Sequence, residues 1–534
     1  MRFVAIPLSL LVFSAQLVLG DETSPRTVAV VVTDSKGTRI HGLSAADFQL
    51  LENGQPKAIR RFSESTPENG AEVRRSVVIL IDSSTLSIGG RRKSIAALRA
   101  AVPALIRPQD RVAVATITPQ GGMLEAAGWT NDLSALAKAL DRIESESLTP
   151  GFTSAERAEQ EIRQLINDDR LAADASQITF ETLLLPARQY AEFVMLQAKH
   201  ILDGVSDAVV HSGTGPGRKA VLLVGSGLPA RPGADIFQFL ENLRGQVLTG
   251  NPGAGIKRGA ATASPMSELA RYDMTSHIRD AGRAAFRRGV VIYSIDGEGW
   301  HGDTTIERTG TRDLAMEGTT AIEKLAGYQL LSNNSGGVAL SGGSATDAVA
   351  LIGTDLQSHY ALTFDQVPSA TVVPRLEVKA KPGYHTRIWF EGGAATKESL
   401  IEDAVLANHR GVVASNDLQI ALASDPPISE GLDRRVKVKV YIPVKSLTLT
   451  RDGGDYIGGF DVYVSTGDAT GNASPVSRQK YQIRWPAAQI EQMREKTIGY
   501  LVDVVMRPGR TQVSIGVVDQ QSQHTGFART TIGG

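Results

Sequence analysis

Short runs of Val, Ile and Leu alternate with amphipathic stretches through the middle of the chain. Such runs are typical of parallel strands that are buried on both faces of a sheet. The strand candidates lie at 77–81, 111–117, 220–224 and 290–295. The helix candidates between them lie at 91–106, 131–143 and 267–288. This alternation predicts a mostly parallel sheet flanked by helices.

A second kind of pattern, with period two, occupies both ends of the chain. A β-branched run at 28–32 and a tight turn at Asn53-Gly54 predict a small β-rich module at 25–68. Near the other end, alternation of apolar with charged or aromatic residues predicts an antiparallel β-sandwich at 400–534. The positions that show this alternation most clearly are Val436, Val438, Val440 and Ile442.

These patterns together predict a multidomain α/β protein. The α/β domain is expected at 74–395, and it contains a mainly helical insertion at about 154–211. Residues 1–20 combine a positive charge at Arg2 with a mostly apolar run at 4–19, as a signal peptide does. The run is short for a membrane span. We therefore expect an exported protein, located in the periplasm, at the envelope or outside the cell, with no integral span after cleavage.

Composition excludes several classes of function. The formal net charge is −1, which provides no electrostatic basis for binding nucleic acid or an anionic membrane. Cysteine is absent, so disulfides, thiolate metal sites and cysteine nucleophiles are excluded. The chain must therefore be held together by its hydrophobic cores.

Oxygen-bearing side chains follow directly after the first predicted parallel strand. Asp82 and Ser84 come after the run at 77–81, and ligands of open α/β sheets sit at the carboxyl ends of such strands. Carboxylate and hydroxyl oxygens suit Mg²⁺, Mn²⁺ or Ca²⁺. Asp82 could instead cap a neighbouring loop or helix through hydrogen bonds, which would make it a structural residue.

This strand and loop resemble the first strand of a von Willebrand factor type A (VWA) domain. That family carries a metal-ion-dependent adhesion site written Asp-x-Ser-x-Ser, and this chain reads Asp82-x-Ser84-x-Leu86. The resemblance implies Thr153 as a further ligand, and Ser226 stands where the family has an acid. The implied site is therefore Asp82, Ser84 and Thr153, incomplete because of Leu86 and Ser226. No cofactor is expected beyond Mg²⁺ or Ca²⁺ at such a degenerate site.

Other segments resemble the VWA-related family that is common in acidobacteria, in the same order along the chain. The matching segments are Arg-Pro-Gln-Asp-Arg-Val-Ala-Val at 107–114, Gly-Arg-Lys-Ala-Val-Leu-Leu-Val at 217–224, Ser-His-Tyr-Ala-Leu at 358–362 and Lys-Pro-Gly-Tyr-His at 381–385. The resemblance implies a VWA-like fold and a role in adhesion or assembly outside the cytoplasm.

Three other stretches are candidate sites. The acidic cluster at 296–303 could hold a cation, present Trp300 to a partner or simply form a turn. The segment 213–219 lacks the Gly-Lys-Ser/Thr ending of a phosphate loop, and the glycines at 253 and 255 do not follow a strand. Neither His-Glu-x-x-His nor Gly-x-Ser-x-Gly occurs, so no hydrolase motif supports an enzyme.

We therefore expect a non-enzymatic protein that recognises a protein or cell-surface partner through the loops of the VWA-like sheet. Recognition would then be independent of metal and would rest on surface complementarity over roughly 1,200–2,000 Å². Two alternatives stay open. One is an exported hydrolase-type enzyme with a site at the same loops, and the other is a structural envelope component that self-associates.

Overall fold

The computed structural model of the chain describes residues 24–66, 75–119, 121–146, 155–167, 180–212, 217–248, 264–298, 314–342, 345–366, 375–391, 397–409, 416–430, 433–468, 473–506 and 511–532. These residues belong to two compact units, 24–391 and 397–532. The predicted signal peptide at 1–20 and the candidate ligand Thr153 lie outside the described residues.

The first unit contains strands, α-helices and two short 3₁₀ helices. Its strands are β1 (Ser24–Thr33), β2 (Gln49–Glu52), β3 (Gln55–Lys57), β4 (Arg61–Ser65), β5 (Arg75–Ile81), β6 (Arg111–Ile117), β7 (Met123–Thr130), β8 (Arg218–Gly225), β9 (Val290–Asp296), β10 (Ala339–Leu340), β11 (His359–Gln366), β12 (Leu376–Lys379) and β13 (His385–Glu391). Its α-helices are α1 (Ile88–Leu105), α2 (Leu133–Ser145), α3 (Ala155–Asn167), α4 (Phe180–His211), α5 (Ala234–Leu248), α6 (Thr275–Arg287), α7 (Leu314–Ser335) and α8 (Ala345–Gln357). The 3₁₀ helices are Ala45–Asp47 and Pro265–Tyr272.

Six strands form a sheet in the order β10-β9-β8-β5-β6-β7. Neighbouring strands are parallel except for the antiparallel pair of β6 and β7. The central strand β5 is buried at every residue, as its apolar composition predicts. One face packs on α1, α2 and α8, and the other packs on α4, α6 and α7. The prediction of a mixed α/β fold with a parallel-containing sheet between helices is therefore confirmed.

The predicted helical insertion divides its packing between two cores. The second half of α4 contributes Ala198, Ile201 and Val205 to the core beneath the sheet. Its first half packs with α3 and α5 in a separate cluster that includes Leu183 and Phe237. Among the described residues of the insertion, the second half of α4 packs on the sheet, while its first half belongs to a small helical core.

The N-terminal strands are completed by strands from much later in the chain. One sheet has the order β13-β1-β11-β4, and a second has the order β12-β2-β3. β1 pairs on one side with β11 and on the other with β13, antiparallel in both cases. β12 and β13 lie within the range predicted for the α/β domain, but they pair with strands of the N-terminal segment 24–52.

A buried ion cluster connects these sheets with the helical layer. Asp355, near the end of α8, is 2% exposed and forms ion pairs with Arg39 and Arg387. The Arg387–Asp355 distance is 2.7 Å, and the Tyr293 hydroxyl of β9 donates to the same carboxylate at 3.4 Å. Arg39 also donates to the carbonyl of Ser358 at 2.8 Å. Side chains from three other parts of the sequence thus meet on the Asp355 carboxylate.

The second unit is predominantly antiparallel β structure. Its strands are β14 (Ala421–Ser424), β15 (Ile428–Glu430), β16 (Asp433–Pro443), β17 (Thr450–Asp452), β18 (Asp455–Asp468), β19 (Ser477–Pro486), β20 (Thr497–Met506), β21 (Thr511–Asp519) and β22 (Thr525–Ile532). Its helices are α9 (Lys397–Asn408), α10 (Ile490–Arg494) and the 3₁₀ turns Val444–Ser446 and Ala487–Gln489. One sheet contains β14, β15, β16 and β20, and the other contains β17, β18, β19, β21 and β22.

Both sheets of this unit contribute to a single core. The inward residues of β16, which are the alternating Val436, Val438, Val440 and Ile442, pack in one cluster with Val462 of β18 and Ile515 of β21. The period-two pattern therefore corresponds to one buried face and one outer face of β16, as alternation along a strand requires.

Candidate functional site

Asp82 lies where β5 ends, at the carboxyl edge of the parallel sheet. Its backbone N–H donates to the carbonyl of Val224 at 2.8 Å, which fixes the loop against β8. Its side chain is completely buried. Oδ1 accepts hydrogen bonds from the backbone N–H of Ser84 at 3.1 Å and from the Ser84 hydroxyl, and Oδ2 accepts from the Thr85 hydroxyl. Both carboxylate oxygens are therefore already hydrogen-bonded within the loop.

The surroundings of this carboxyl group favour its neutral form. Burial raises the pKa of Asp82, and the hydrogen bonds from Ser84 and Thr85 oppose this only in part. Burial, together with the charges of Asp82 and Asp296, also raises the pKa of the Tyr328 hydroxyl well above its ordinary value. The tyrosine hydroxyl at this site is therefore un-ionised at neutral pH.

Gly225 lies so close to the side chains of Asp82 and Tyr328 that no side chain fits at this position. A Cβ at this position would lie 2.6 Å from the Tyr328 hydroxyl and 2.9 Å from the Asp82 Cβ. Both contacts are too short for any residue with a side chain, so only glycine lets β8 end between them. The site is consequently a tightly filled part of the sheet edge.

The two replaced ligand positions have structural roles. Leu86 is 2% exposed and packs in the core with Ile81 and Ile95. The Ser226 hydroxyl accepts a hydrogen bond from the Lys324 ammonium at 3.4 Å. A lysine ammonium thus lies beside the position where the VWA family has an acid, and it would repel a divalent cation.

The described donors do not fit a divalent hard cation. At the implied ligand positions they amount to one carboxylate, whose oxygens already accept hydrogen bonds, and a few hydroxyls, whereas Ca²⁺ and Mg²⁺ require more negative charge. No cluster of three or more His, Asp or Glu side chains suited to a metal occurs among the described residues. The metal site at Asp82, Ser84 and Thr153 stays a prediction, since Thr153 lies outside the described residues.

The described part of the acidic cluster, 296–298, contacts the start of α1. The Glu298 carboxylate accepts from the Ser87 N–H at 2.7 Å and from the Ser87 hydroxyl at 3.1 Å. The Ser87 hydroxyl in turn accepts from the N–H of Gly90 at 2.9 Å, as an N-cap does. A Cβ at Gly90 would lie 2.4 Å from Glu298. The carboxylate thus occupies the positive end of the helix dipole.

Sequence analysis did not predict this contact. It treated the cluster as a cation site, a partner loop or a turn, and it began the helix at residue 91. The available signal was Ser87, since a serine directly before a helix is a common N-cap. Nothing local indicated that Glu298, 211 positions later, would satisfy the same helix end. The rest of the cluster, including Trp300, lies outside the described residues.

The structure describes part of the two glycine-rich segments that were considered as phosphate or dinucleotide sites. Lys219, at the end of the 213–219 stretch, lies inside β8 and is 2% exposed. Its ammonium group is 3.5 Å from the carbonyl of Arg288, and burial, together with the charges of Arg288 and Arg111, lowers its pKa to about 8. Because Lys219 lies in a strand and is buried, it is not positioned as the lysine of a phosphate loop. The glycines at 253 and 255 lie outside the described residues.

Comparisons with known proteins yield only remote structural similarity. No family model and no curated protein matches the chain. An aerotolerance-related membrane protein from Bacteroides fragilis is 10% identical, with a TM-score of 0.26, and the match covers 53% of this chain and 98% of that chain. BatB from Bacteroides thetaiotaomicron is 12% identical, with a TM-score of 0.22, over 53% and 97%. Manganese-loaded Plasmodium vivax TRAP protein is 11% identical, with a TM-score of 0.23, over 71% and 89%.

Similarity at this level assigns neither a fold family nor a function. It gives no support to the acidobacterial family in particular. Among the described residues, no helix has both the length and the apolar character that crossing a membrane requires.

Proposed function

We propose that this chain is an exported, non-enzymatic binding or assembly protein, and that its parallel sheet is a VWA-like domain with a degenerate adhesion site. The partner would be a protein or a cell-surface component that contacts the carboxyl edge of the sheet. Recognition would not require a metal ion. The observation that supports this most directly is that both Asp82 carboxylate oxygens accept hydrogen bonds inside the loop.

The same edge of the sheet carries an exposed apolar residue with polar neighbours. Ile88, the first residue of α1, is 58% exposed and follows the Asp82 loop directly. Glu298 lies beside it at the start of α1, and the half-exposed Arg231 follows the loop after β8. An apolar centre with a charged rim is the usual anatomy of a protein interface. Ile88 is therefore the proposed central contact.

An enzymatic role has less support at this edge. A catalytic carboxyl or phenol must reach its substrate, but Asp82 and Tyr328, the groups with raised pKa values, are both almost fully buried. Asp82 is held by hydrogen bonds inside its loop, and neither of these two groups is exposed to a substrate. Recognition of a partner, and not catalysis, is therefore the proposed function of this edge.

Affinity capture from extracellular and envelope extracts, with and without EDTA, tests the proposal. Wild-type protein should capture the same partner under both conditions, whereas Ile88→Lys should reduce capture by about tenfold or more, since a central interface residue is replaced by a charge. The matched control is Leu133→Lys, because Leu133 also begins a helix and is 44% exposed. This variant should capture the partner like wild type.

Two results would overturn the proposal. Loss of the partner in EDTA would mean that a cation takes part in recognition after all. Equal capture by wild type and Ile88→Lys would mean that the partner binds elsewhere on the protein.

A further inference from the structure

The second unit has a groove between the outermost strands of its two sheets. Among the described residues, β20 pairs only with β16, and β19 pairs only with β18. The groove between them has a volume of about 400 Å³. Its walls include Ser465 and Thr466 of β18, Ser477 of β19, and Val502 and Val504 of β20. One side of β20 therefore faces open space in the part of the chain that the structure describes.

One end of this groove is closed by aromatic side chains. The rings of Tyr481 on β19 and Tyr500 on β20 have centroids 4.4 Å apart. Their hydroxyls contact each other, and both contact the side-chain oxygen of Gln479. This bridge fixes the distance between the two sheets. Beyond it, from Leu501 to Val505, β20 continues along the groove without such a bridge.

The free edge of β20 has less of the usual protection of an edge strand than β19 has. Edge strands commonly carry Lys, Arg or Pro, which prevent pairing with other chains. β19 carries Arg478, Lys480, Arg484 and Pro486. β20 contains none of these residue types, and it exposes Leu501 by 50% and Val505 by 57%. A ten-residue edge of this kind is suited to accept another strand.

Asp503 indicates which strand would fit. It is exposed, lies between Leu501 and Val505 on the outer face of the sheet, and forms no ion pair with a described residue. Its cross-strand neighbour Lys437 is not within ion-pair distance, while the next lysine along β16, Lys439, is held at 2.7 Å by Asp425. No ion pair with a described residue therefore neutralises this carboxylate on the outer face of the edge strand.

We propose that β20 accepts an extended segment of a partner protein, which adds as a further strand to this sheet. Main-chain hydrogen bonds would provide the pairing, as in other cases of strand addition. On the outer face, the segment would place Lys or Arg opposite Asp503 and an apolar residue opposite each of Leu501 and Val505. On the inner face, small β-branched side chains would lie beside Val502, Val504 and the hydroxyls of the groove. This surface belongs to the second unit and does not depend on the proposed function of the Asp82 edge.

A charge-swap experiment on the full chain tests this inference. The probe is a fluorescent, capped peptide, Thr-Val-Thr-Lys-Thr-Val-Thr, measured by anisotropy, and its counterpart has Glu in place of Lys. The Lys peptide should bind wild type with saturation, and the Glu peptide should bind about tenfold more weakly. The Asp503→Lys variant should reverse this preference. Because Asp503 is exposed, the variant should fold normally, and binding of the Glu peptide would demonstrate that it does.

Two controls locate the binding and make the result decisive. Asp452→Lys changes another exposed aspartate of the same unit, on β17, and should leave the preference for the Lys peptide unchanged. Replacing the central Lys-Thr of the peptide by Lys-Pro should abolish binding, since proline removes a main-chain donor.

The inference is overturned if neither peptide binds up to ~1 mM, or if the two peptides bind with affinities that do not change with the charge at position 503. It is also overturned if light scattering shows a dimer that Val505→Lys dissociates, since a second copy would then occupy the edge.

Discussion

At the scale of single residues, Asp82 provides a pH-dependent test of the site. Because burial raises the pKa of Asp82, the folded protein retains a proton that the unfolded chain releases from about pH 4 upward. The contribution of this group to the free energy of unfolding is present at low pH and is lost as the pH rises toward the raised pKa. Asp82→Asn cannot titrate but retains a hydrogen-bonding side chain, so its stability should lack this decline.

Urea denaturation of both proteins between about pH 4 and about pH 7 measures this effect. The difference between the two free energies of unfolding removes the contributions of the other titrating groups. The free energy of unfolding of the variant, relative to that of wild type, should increase with pH. A difference that is constant with pH, or that changes in the opposite direction, would contradict a raised pKa for Asp82 in the folded protein.

Residue-level prediction from sequence worked where the signal was local. Asp82 and Ser84 were recognised because they directly follow a strand, and the structure brings them together in one loop. The alternative interpretation had Asp82 capping a neighbouring loop or helix, whereas its carboxylate oxygens accept hydrogen bonds from Ser84 and Thr85 of its own loop. The cluster of Arg39 and Arg387 on Asp355 was not predicted, because its members are separated by up to 348 positions and belong to no motif. Such a contact depends on the complete fold.

At the scale of secondary-structure elements, the start of α1 gives a second test. Glu298 accepts two hydrogen bonds from Ser87 at the positive end of an 18-residue helix. Glu298→Gln removes the charge but retains an acceptor, so the free energy of unfolding should fall by about 0.3–1 kcal/mol. Urea denaturation at low ionic strength and in ~1 M NaCl separates charge from geometry, since salt screens the dipole interaction.

The salt dependence decides the interpretation of this variant. If the carboxylate acts through its charge, the loss of stability should be smaller in high salt. A loss of the same size at both salt concentrations would indicate that only the hydrogen-bond geometry matters. No loss at either concentration would contradict a stabilising role for Glu298.

Elements were predicted from sequence more reliably than their pairing. The runs at 77–81, 111–117, 220–224 and 290–295 are strands in the structure, because their apolar composition reflects burial on both faces. The run at 28–32 is likewise part of β1. Its partners β11 and β13 begin more than 300 residues later, and strand pairing over such a distance leaves no periodic signal in either segment. The elements were therefore predicted, but the pairing of β1 with β11 and β13 was not.

At the scale of the whole molecule, the cores show which segments depend on one another. The core of the second unit consists of residues between 418 and 532. The N-terminal β core combines Val28, Val30 and Val32 with Tyr360, Leu362 and Phe390. A cut between the two units therefore leaves each core intact, whereas a cut between residues 66 and 75 divides the N-terminal β core between two fragments.

This division leads to a test with three fragments of the chain. Fragments 24–394 and 395–534 should each unfold cooperatively in urea, as followed by circular dichroism, because each contains its complete cores. Fragment 75–394 should be much less stable or should aggregate. It lacks β1, so β11 and β13 lose the strand between them, and apolar residues such as Leu362 and Phe390 become exposed. Equal unfolding midpoints for 75–394 and 24–394 would contradict this dependence and would make 24–66 a separable module. A lower midpoint that is restored by adding 24–66 as a separate peptide would confirm that strand pairing, and not chain length, is responsible.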